Sequence, residues 1–290
     1  MAVNTVGLLS PGDMGHAVGA VLVTNGIRVI TCLEGRSNRT HELAEKAGIQ
    51  HVPTYQDLVR DADIILSILV PAEAKNAATL VSKALEETRE KITYADCNAI
   101  APQTVQAIGK IITAAGSNFV DAGIIGGPPA PGVMNRIYVS GPDAEVVEQL
   151  NKYGLDIRAI GPEIGQASGL KMVYAALTKG TSALALELMV AAKRLNLYDA
   201  LIAEWEMSQA DRYESFKRGL QSIPSKSHRW IGEMEEIAKT FGDVGLTPKI
   251  LEGAADMYRF IRSNPVSDET PETIDRNRTL EQLIDKLAKL

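Results

Sequence analysis

Apolar residues along this chain follow one rhythm in its first half and another in its second. Up to about residue 143, short β-branched runs alternate with stretches in which apolar positions recur three and four apart. The runs at 3–9, 27–33, 49–52, 62–70, 92–96 and 118–122 read as strands, and 136–140 (RIYVS) closes the series. Helices are expected from about residue 14, over 38–47 with Gly48 as its stop, over 73–87, and over 103–115. Strand and helix alternating at this spacing imply right-handed crossovers, and hence a doubly wound parallel sheet. From residue 144 onward the period becomes 3.6, and no strand is expected after 160. The segments 166–196, 199–220, 226–241 and 248–262 make the second half all helix, so the expected domains are 1–160 and 161–290.

The first of these helices is apolar on more than one face, which predicts a helix surrounded by protein, with dimerisation covering it. Its apolar stretch, 172–192, carries Lys179 and Glu187 inside, so it reads as a buried helix and a poor membrane span. Residues 264–278 are polar and contain prolines, and are expected to form a mobile linker before a short terminal helix at 279–290.

The chain's 290 residues carry a formal net charge of -6, and the pI near 5.4 argues against a nucleic-acid surface. Cys32 and Cys97 lie far apart with no His/Cys cluster around them. Neither a metal site nor a disulfide is expected, and a reducing cytoplasm fits best. The start lacks the basic region of a secretory signal.

One local pattern carries chemistry. After the first strand comes Ser10-Pro11-Gly12-Asp13-Met14-Gly15, opening a helix. A glycine turn between strand and helix leaves backbone N–H groups and a positive dipole end where a pyrophosphate can sit. Ser10 occupies the first glycine position of the GxGxxG fingerprint, so a plain strand-to-helix turn is the competing reading.

Three further segments follow in order: 96–102 (DCNAIAP), 121–127 (DAGIIGG) and 161–171, which ends in Lys171. With them the chain resembles the β-hydroxyacid dehydrogenase family, which includes 3-hydroxyisobutyrate and 6-phosphogluconate dehydrogenases, over essentially its whole length. Its C-terminal half looks like that of a poorly characterised, phosphogluconate-dehydrogenase-like subgroup. The resemblance implies a Rossmann domain, an all-α C-terminal domain built around one long helix, a homodimer through that domain, and NAD(P)-dependent hydride transfer. It assigns Ser10, Pro11, Gly12, Asp13, Met14 and Gly15 to the pyrophosphate loop, Leu69, Val70 and Pro71 to the adenosine side, and Asn98 to the nicotinamide ribose or carboxamide. Gly126 and Gly127 match the family's substrate loop, where Ile125 replaces a serine and removes a hydroxyl that would meet a substrate carboxylate. Thr178 stands where phosphogluconate dehydrogenase has an acid, which counts against oxidative decarboxylation.

Lys171 matches the family's catalytic lysine, and the chemistry supports the match. Oxidising a secondary alcohol requires a base within hydrogen-bond reach of its oxygen, and burial moves a lysine toward that role. Ser168, Lys171, Tyr174 and Thr178 recur at three- and four-residue spacing and form a polar line on an apolar helix. Tyr174 replaces the family's Asn or His, and either hydrogen-bonds the substrate oxygen or fills space. After the second strand, Glu34 suits the free ribose hydroxyl of NAD, while Arg36, Ser37 and Arg39 suit the 2′-phosphate of NADP; the balance tips to NADP. The expected protein is a cytoplasmic NAD(P)-dependent oxidoreductase acting on a small, anionic hydroxy acid or related alcohol, with no nucleic-acid or membrane partner. An imine reductase and a non-catalytic dinucleotide sensor are the alternatives.

Overall fold

The computed structural model describes residues 3–270 and 272–289. The chain divides into two compact units, Met1–Met172 and Val173–Leu290.

The first unit is built on an eight-stranded sheet. Its strands are β1 (Thr5–Leu9), β2 (Arg28–Cys32), β3 (Gln50–Val52), β4 (Ile64–Ser67), β5 (Thr93–Asp96), β6 (Asn118–Ile125), β7 (Arg136–Ser140) and β8 (Ile157–Gly161), in the order β3-β2-β1-β4-β5-β6-β7-β8. The helices of this half are α1 (Asp13–Thr24), α2 (Asn38–Lys46), α3 (Tyr55–Asp61), α4 (Ala74–Thr88), α5 (Pro102–Ala114) and α6 (Ala144–Glu148). They cover both faces. Val18 and Leu22 of α1, Ala44 of α2 and Val147 of α6 share one apolar layer with Val6, Leu8 and Ile64. Leu58 of α3, Val81 and Leu85 of α4 and Ile108 of α5 share the other with Leu9, Ile65 and Tyr94. Strands buried on both sides explain why the sequence shows continuous apolar runs where a one-sided sheet would show alternation.

In the sheet, two features differ from the sequence-based expectation. The sheet is parallel from β3 through β6, but β7 runs antiparallel to β6. The link between them, residues 126–135, contains no crossover helix, and a loop of that kind returns the chain beside the strand it has just left. The eighth strand, β8, was not expected. It pairs with β7 at the sheet edge, where Arg158, Ala159 and Ile160 are exposed, so burial imposes no period on it.

A long helix, α7 (Gln166–Arg194), begins in the first unit and continues into the second. The second unit adds α8 (Tyr198–Ser208), α9 (Ala210–Gly219), α10 (Ser227–Asp243), α11 (Lys249–Arg262) and α12 (Leu280–Ala288). The helix expected over 199–220 is broken at Gln209, whose backbone leaves the helical region at φ -143. The break folds Tyr213 and Phe216 back onto Trp205, with ring centroids 6.1 and 5.9 Å away.

Within a single chain, 39% of the most apolar window of α7 is buried. Val173, Leu177, Leu184 and Leu188 form an exposed apolar stripe at helical spacing. By length and composition alone α7 would suffice to cross a membrane. Its interior charge is engaged by protein, however: Lys179 pairs with Glu233, lies 5.3 Å from the Trp230 ring centroid, and its carbonyl accepts from Tyr258 Oη at 2.7 Å.

The segment 264–278 is anchored and does not read as a mobile linker. Asn264 donates to the Lys286 carbonyl at 3.0 Å and caps the turn at Val266. The Arg278 guanidinium, 3% exposed, forks onto both Glu269 carboxylate oxygens at 2.5 and 2.9 Å. A bidentate pair of this kind fixes the chain direction. Pro271 lies outside the described residues.

Candidate functional site

The glycine turn sits at the C-terminal end of β1, at the point where strand order reverses between β1 and β4. This is where open α/β sheets bind ligands. Ser10 takes the left-handed backbone, φ 62, that a glycine would adopt without strain. Gly12 is the N-cap of α1 and offers no side-chain cap to the first-turn N–H groups. A Cβ built on Gly12 would meet nothing within 4 Å, whereas one on Gly15 would fall 2.5 Å from the Ser10 carbonyl oxygen. Gly15 therefore lets helix and turn pack, and Gly12 leaves the approach to the helix N-terminus open. His16 bonds the Gly12 carbonyl through Nδ1 at 2.7 Å, which ties its ring to the turn.

Across the switch point, Asn98 joins the ends of β4 and β5. It accepts from Leu69 N at 2.5 Å and donates to Ser67 Oγ at 3.1 Å and to Asp96 Oδ1 at 2.8 Å. Its amide, 2% exposed, is thus spent on protein. Leu69 and Pro71 are half-buried, while Val70 is exposed.

Beside Asp96 in register lies Asp121, the one charged residue in the run NFVDAGII of β6. Asp121 Oδ2 accepts from Ser140 Oγ at 3.0 Å, Gly165 N at 2.9 Å and Ser168 N at 3.0 Å, and Oδ1 accepts from Ser168 Oγ at 2.5 Å. The carboxylate therefore caps the first turn of α7. Two residues on, Gly123 has no room for a side chain: a Cβ there would lie 2.7 Å from the Ala167 carbonyl oxygen and 3.0 Å from Lys171 Cβ. Lys171, half-buried, donates through Nζ to the Ile124 carbonyl. One strand thus holds the start of α7 through a side chain, a bare Cα and a carbonyl.

Burial pushes both carboxyl groups up. For Asp96 it outweighs the Asn98 hydrogen bonds and, with the nearby Asp121 charge, raises the pKa to about 7. For Asp121 burial also dominates, and the donors from Ser168, Ser140 and Gly165 oppose it. Asp121, with four donors, is the better home for the negative charge, and Asp96 is the group that holds a proton up to about pH 7.

Ile125 is buried at 4% and ends β6, where Gly126, at φ 116, turns the chain into the exposed loop with Gly127. On α7, Tyr174 is 46% exposed, and Thr178 bonds back to the Ala175 carbonyl at 3.3 Å. After β2, Glu34 is exposed, Arg36 is half-buried, and Ser37 caps α2 through Thr40 N at 3.3 Å. Arg39 reaches across to Asp13 Oδ1 at 2.6 Å and sets a positive group beside the acid at the entrance to α1. Among the described residues no His, Cys, Asp or Glu cluster could hold a metal. Nothing in the sequence pattern points to Asn135, whereas Asp121, a lone acid inside an apolar strand, is a readable signal.

Residues 5–154 match the family described as the NAD binding domain of 6-phosphogluconate dehydrogenase, and residues 192–261 match a domain of unknown function. An uncharacterised 28.5 kDa protein of Methanothermus fervidus is 31% identical over 88% of this chain and 98% of its own. A conserved protein of unknown function, reported as structurally similar to 3-hydroxyacid dehydrogenases, is 32% identical with a TM-score of 0.66, covering 89% of this chain and 98% of that one. The Mycobacterium tuberculosis 3-hydroxyisobutyrate dehydrogenase shares the fold at a TM-score of 0.66 and 18% identity, over 89% of this chain and 93% of that one.

The chain belongs to the β-hydroxyacid dehydrogenase family. It is an NAD(P)-dependent oxidoreductase with a Rossmann-type dinucleotide domain. The open Cα of Gly12 and the uncapped start of α1 suit the pyrophosphate of a dinucleotide.

Two expectations follow for this site. Gly12→Ala folds with an unchanged melting temperature but binds dinucleotide at least about tenfold more weakly, because its methyl stands where the phosphate approaches; Gly15→Ala loses both stability and binding. Calorimetric titration beside thermal melts checks this, and equal affinities for Gly12→Ala and parent would refute it. Asp96 ionises near 3.8 in the unfolded chain and near 7 in the fold. Between those values the folded state holds the extra proton, so stability falls as pH rises. Asp96→Asn removes that fall, and its unfolding free energy from urea titration at pH 8 exceeds the parent's by an amount on the order of a few kcal/mol while the two stay close near pH 4. Parallel pH profiles would show that the proton is not on Asp96.

Proposed function

We propose that this protein transfers hydride between a nicotinamide cofactor and a small hydroxy acid or related alcohol, with Lys171 as the general acid/base. The observation that carries the reading is the placement of Lys171 at the C-terminal end of β6, its Nζ on the Ile124 carbonyl, beside the turn at Gly126. In a doubly wound sheet that end of the strands is where substrate and nicotinamide gather.

Bound nicotinamide supplies the hydride acceptor or donor. The rest falls to this chain. As hydride leaves carbon, the alcohol oxygen must lose its proton, and Lys171, tethered one turn from the Asp121 clamp, takes that proton or returns it in the reverse direction. With Ile125 in place of a hydroxyl residue, an anionic group on the substrate is met by the backbone N–H groups of the Gly126 and Gly127 turn. Tyr174 follows on the same helix, and its phenol is suited to bonding the substrate oxygen.

Arg36 and Arg39, near the loop after β2, support NADP as the preferred cofactor. The exposed stripe of α7 supports a homodimer through the helical unit. Beside it, Trp205, Tyr213, Phe216 and Arg212 line a hollow of about 170 Å³ with Leu184 and Leu188 as its other wall.

In assays of small hydroxy acids with NAD and NADP, Lys171→Ala loses roughly 10²–10⁴-fold in kcat/KM on the best substrate while its cofactor Kd stays near the parent's. Unchanged turnover would remove lysine from the mechanism. In the same assays Arg36→Ala weakens NADPH and spares NADH, and equal effects on both would overturn the NADP preference. Light scattering of the full chain is expected to give a dimer mass that Leu177→Glu reduces to a monomer; a monomeric parent would refute the dimer.

A further inference from the structure

Asn135 lies immediately before β7, against the turn that leaves β6. A Cβ built on Gly126 would stand 3.3 Å from Asn135 Cβ. The residue is 1% exposed. Its Nδ2 faces Met14 Sδ at 3.2 Å, a weak acceptor, and its Oδ1 has no partner. Exchanging the oxygen and nitrogen of the amide does not help, since one end always faces sulfur and the other stays unpaired. Two and four residues on, Ile137 and Val139 enter the apolar layer beneath α1. Strand alternation puts Asn135 on that same side, where an aliphatic side chain would suit the surroundings better. A buried amide with most of its bonding capacity unused calls for a specific explanation.

Its place supplies one. Met14 belongs to the glycine turn, and Gly126 and Asn135 flank the ends of β6 and β7, on the β4 to β8 side of the switch point. The ribose-reading position at the end of β2 lies on the other side, so a dinucleotide straddling the switch point directs its nicotinamide toward Asn135. The substituent of that ring is a primary carboxamide, which offers an N–H donor to an unpaired carbonyl oxygen and a carbonyl to an unpaired N–H. We infer that the Asn135 side chain pairs with the nicotinamide carboxamide and thereby selects the ring orientation that presents one face to substrate. The inference rests on the nicotinamide-dependent reading and is independent of what Lys171 does.

The test reads binding by the full-length protein. NAD and NADP, their 3-acetylpyridine analogues, in which a methyl replaces the carboxamide NH₂, and ADP-ribose with its 2′-phosphorylated form are titrated calorimetrically against the parent and Asn135→Leu. The parent is expected to bind the nicotinamide form at least about tenfold tighter than the acetylpyridine form. In Asn135→Leu that ratio falls to within about twofold, while ADP-ribose affinity is preserved to about twofold. The cofactor-free variant melts roughly 2–4 °C higher, because an apolar group of similar size replaces an unpaired amide. A parent without the preference overturns the inference, as does a variant that retains it or one whose ADP-ribose affinity falls in parallel. Loss of turnover in Lys171→Ala leaves all these ratios in place, so the two readings fail separately.

Discussion

The organising constraint of this protein is a carboxylate that cannot reach water. Asp121 lies in the middle of β6, fully buried. Its charge is tolerable there only because four donors converge on it from Ser140, Gly165 and Ser168. Hydrogen bonds to an ionised group contribute about 1.5–3 kcal/mol each, and removing them would leave the charge stranded. The start of α7 therefore cannot drift from β6. Gly123 permits the close approach, and Lys171 arrives at the strand end as a consequence. The position of the proposed proton-transfer group is thus set by a charge three residues before the carbonyl it touches.

The neighbouring acid gives the same region a second property. Asp96 and Asp121 are register partners in a medium that disfavours two charges, and the donor count decides which one keeps its proton. Asn98 then links Asp96 to Ser67 and to the backbone at Leu69, so the ends of β4 and β5 share one polar seam in an otherwise apolar sheet. The glycine turn faces this seam across the switch point. The two sides of the nucleotide site follow different designs: bare backbone and a helix end after β1, and hydrogen-bonded side chains beyond β4.

Much of the architecture could be read from residue order. The alternation of β-branched runs with helical periods located the strands through β7, because strands buried on both faces must be continuously apolar. The direction of β7 was not legible, since antiparallel pairing depends on where a glycine- and proline-rich loop returns. Strand β8 escaped because only Ile157 in it is fully buried. The segment 264–278 looks mobile by composition, yet Arg278 finds Glu269 and the Gln221 carbonyl, contacts that no local pattern announces. In α7 the apolar excess was visible, but not the way Lys179 is drawn inward by Glu233 and Trp230.

By itself the sequence determined the fold class, the dinucleotide turn, and the helix that carries Lys171. Those depend on local periodicity, on glycines that alone permit certain backbone approaches, and on spacing along one helix. The tertiary structure decided which polar groups are spent and which are left over. Asn98 and Ser37 have the right chemistry to bind ligand and are found bonded to the protein's own backbone. Asn135 shows nothing in the sequence and is found buried with its oxygen unpaired. Hydrogen-bond satisfaction is a property of three-dimensional neighbours from distant parts of the chain, and no one-dimensional pattern contains it.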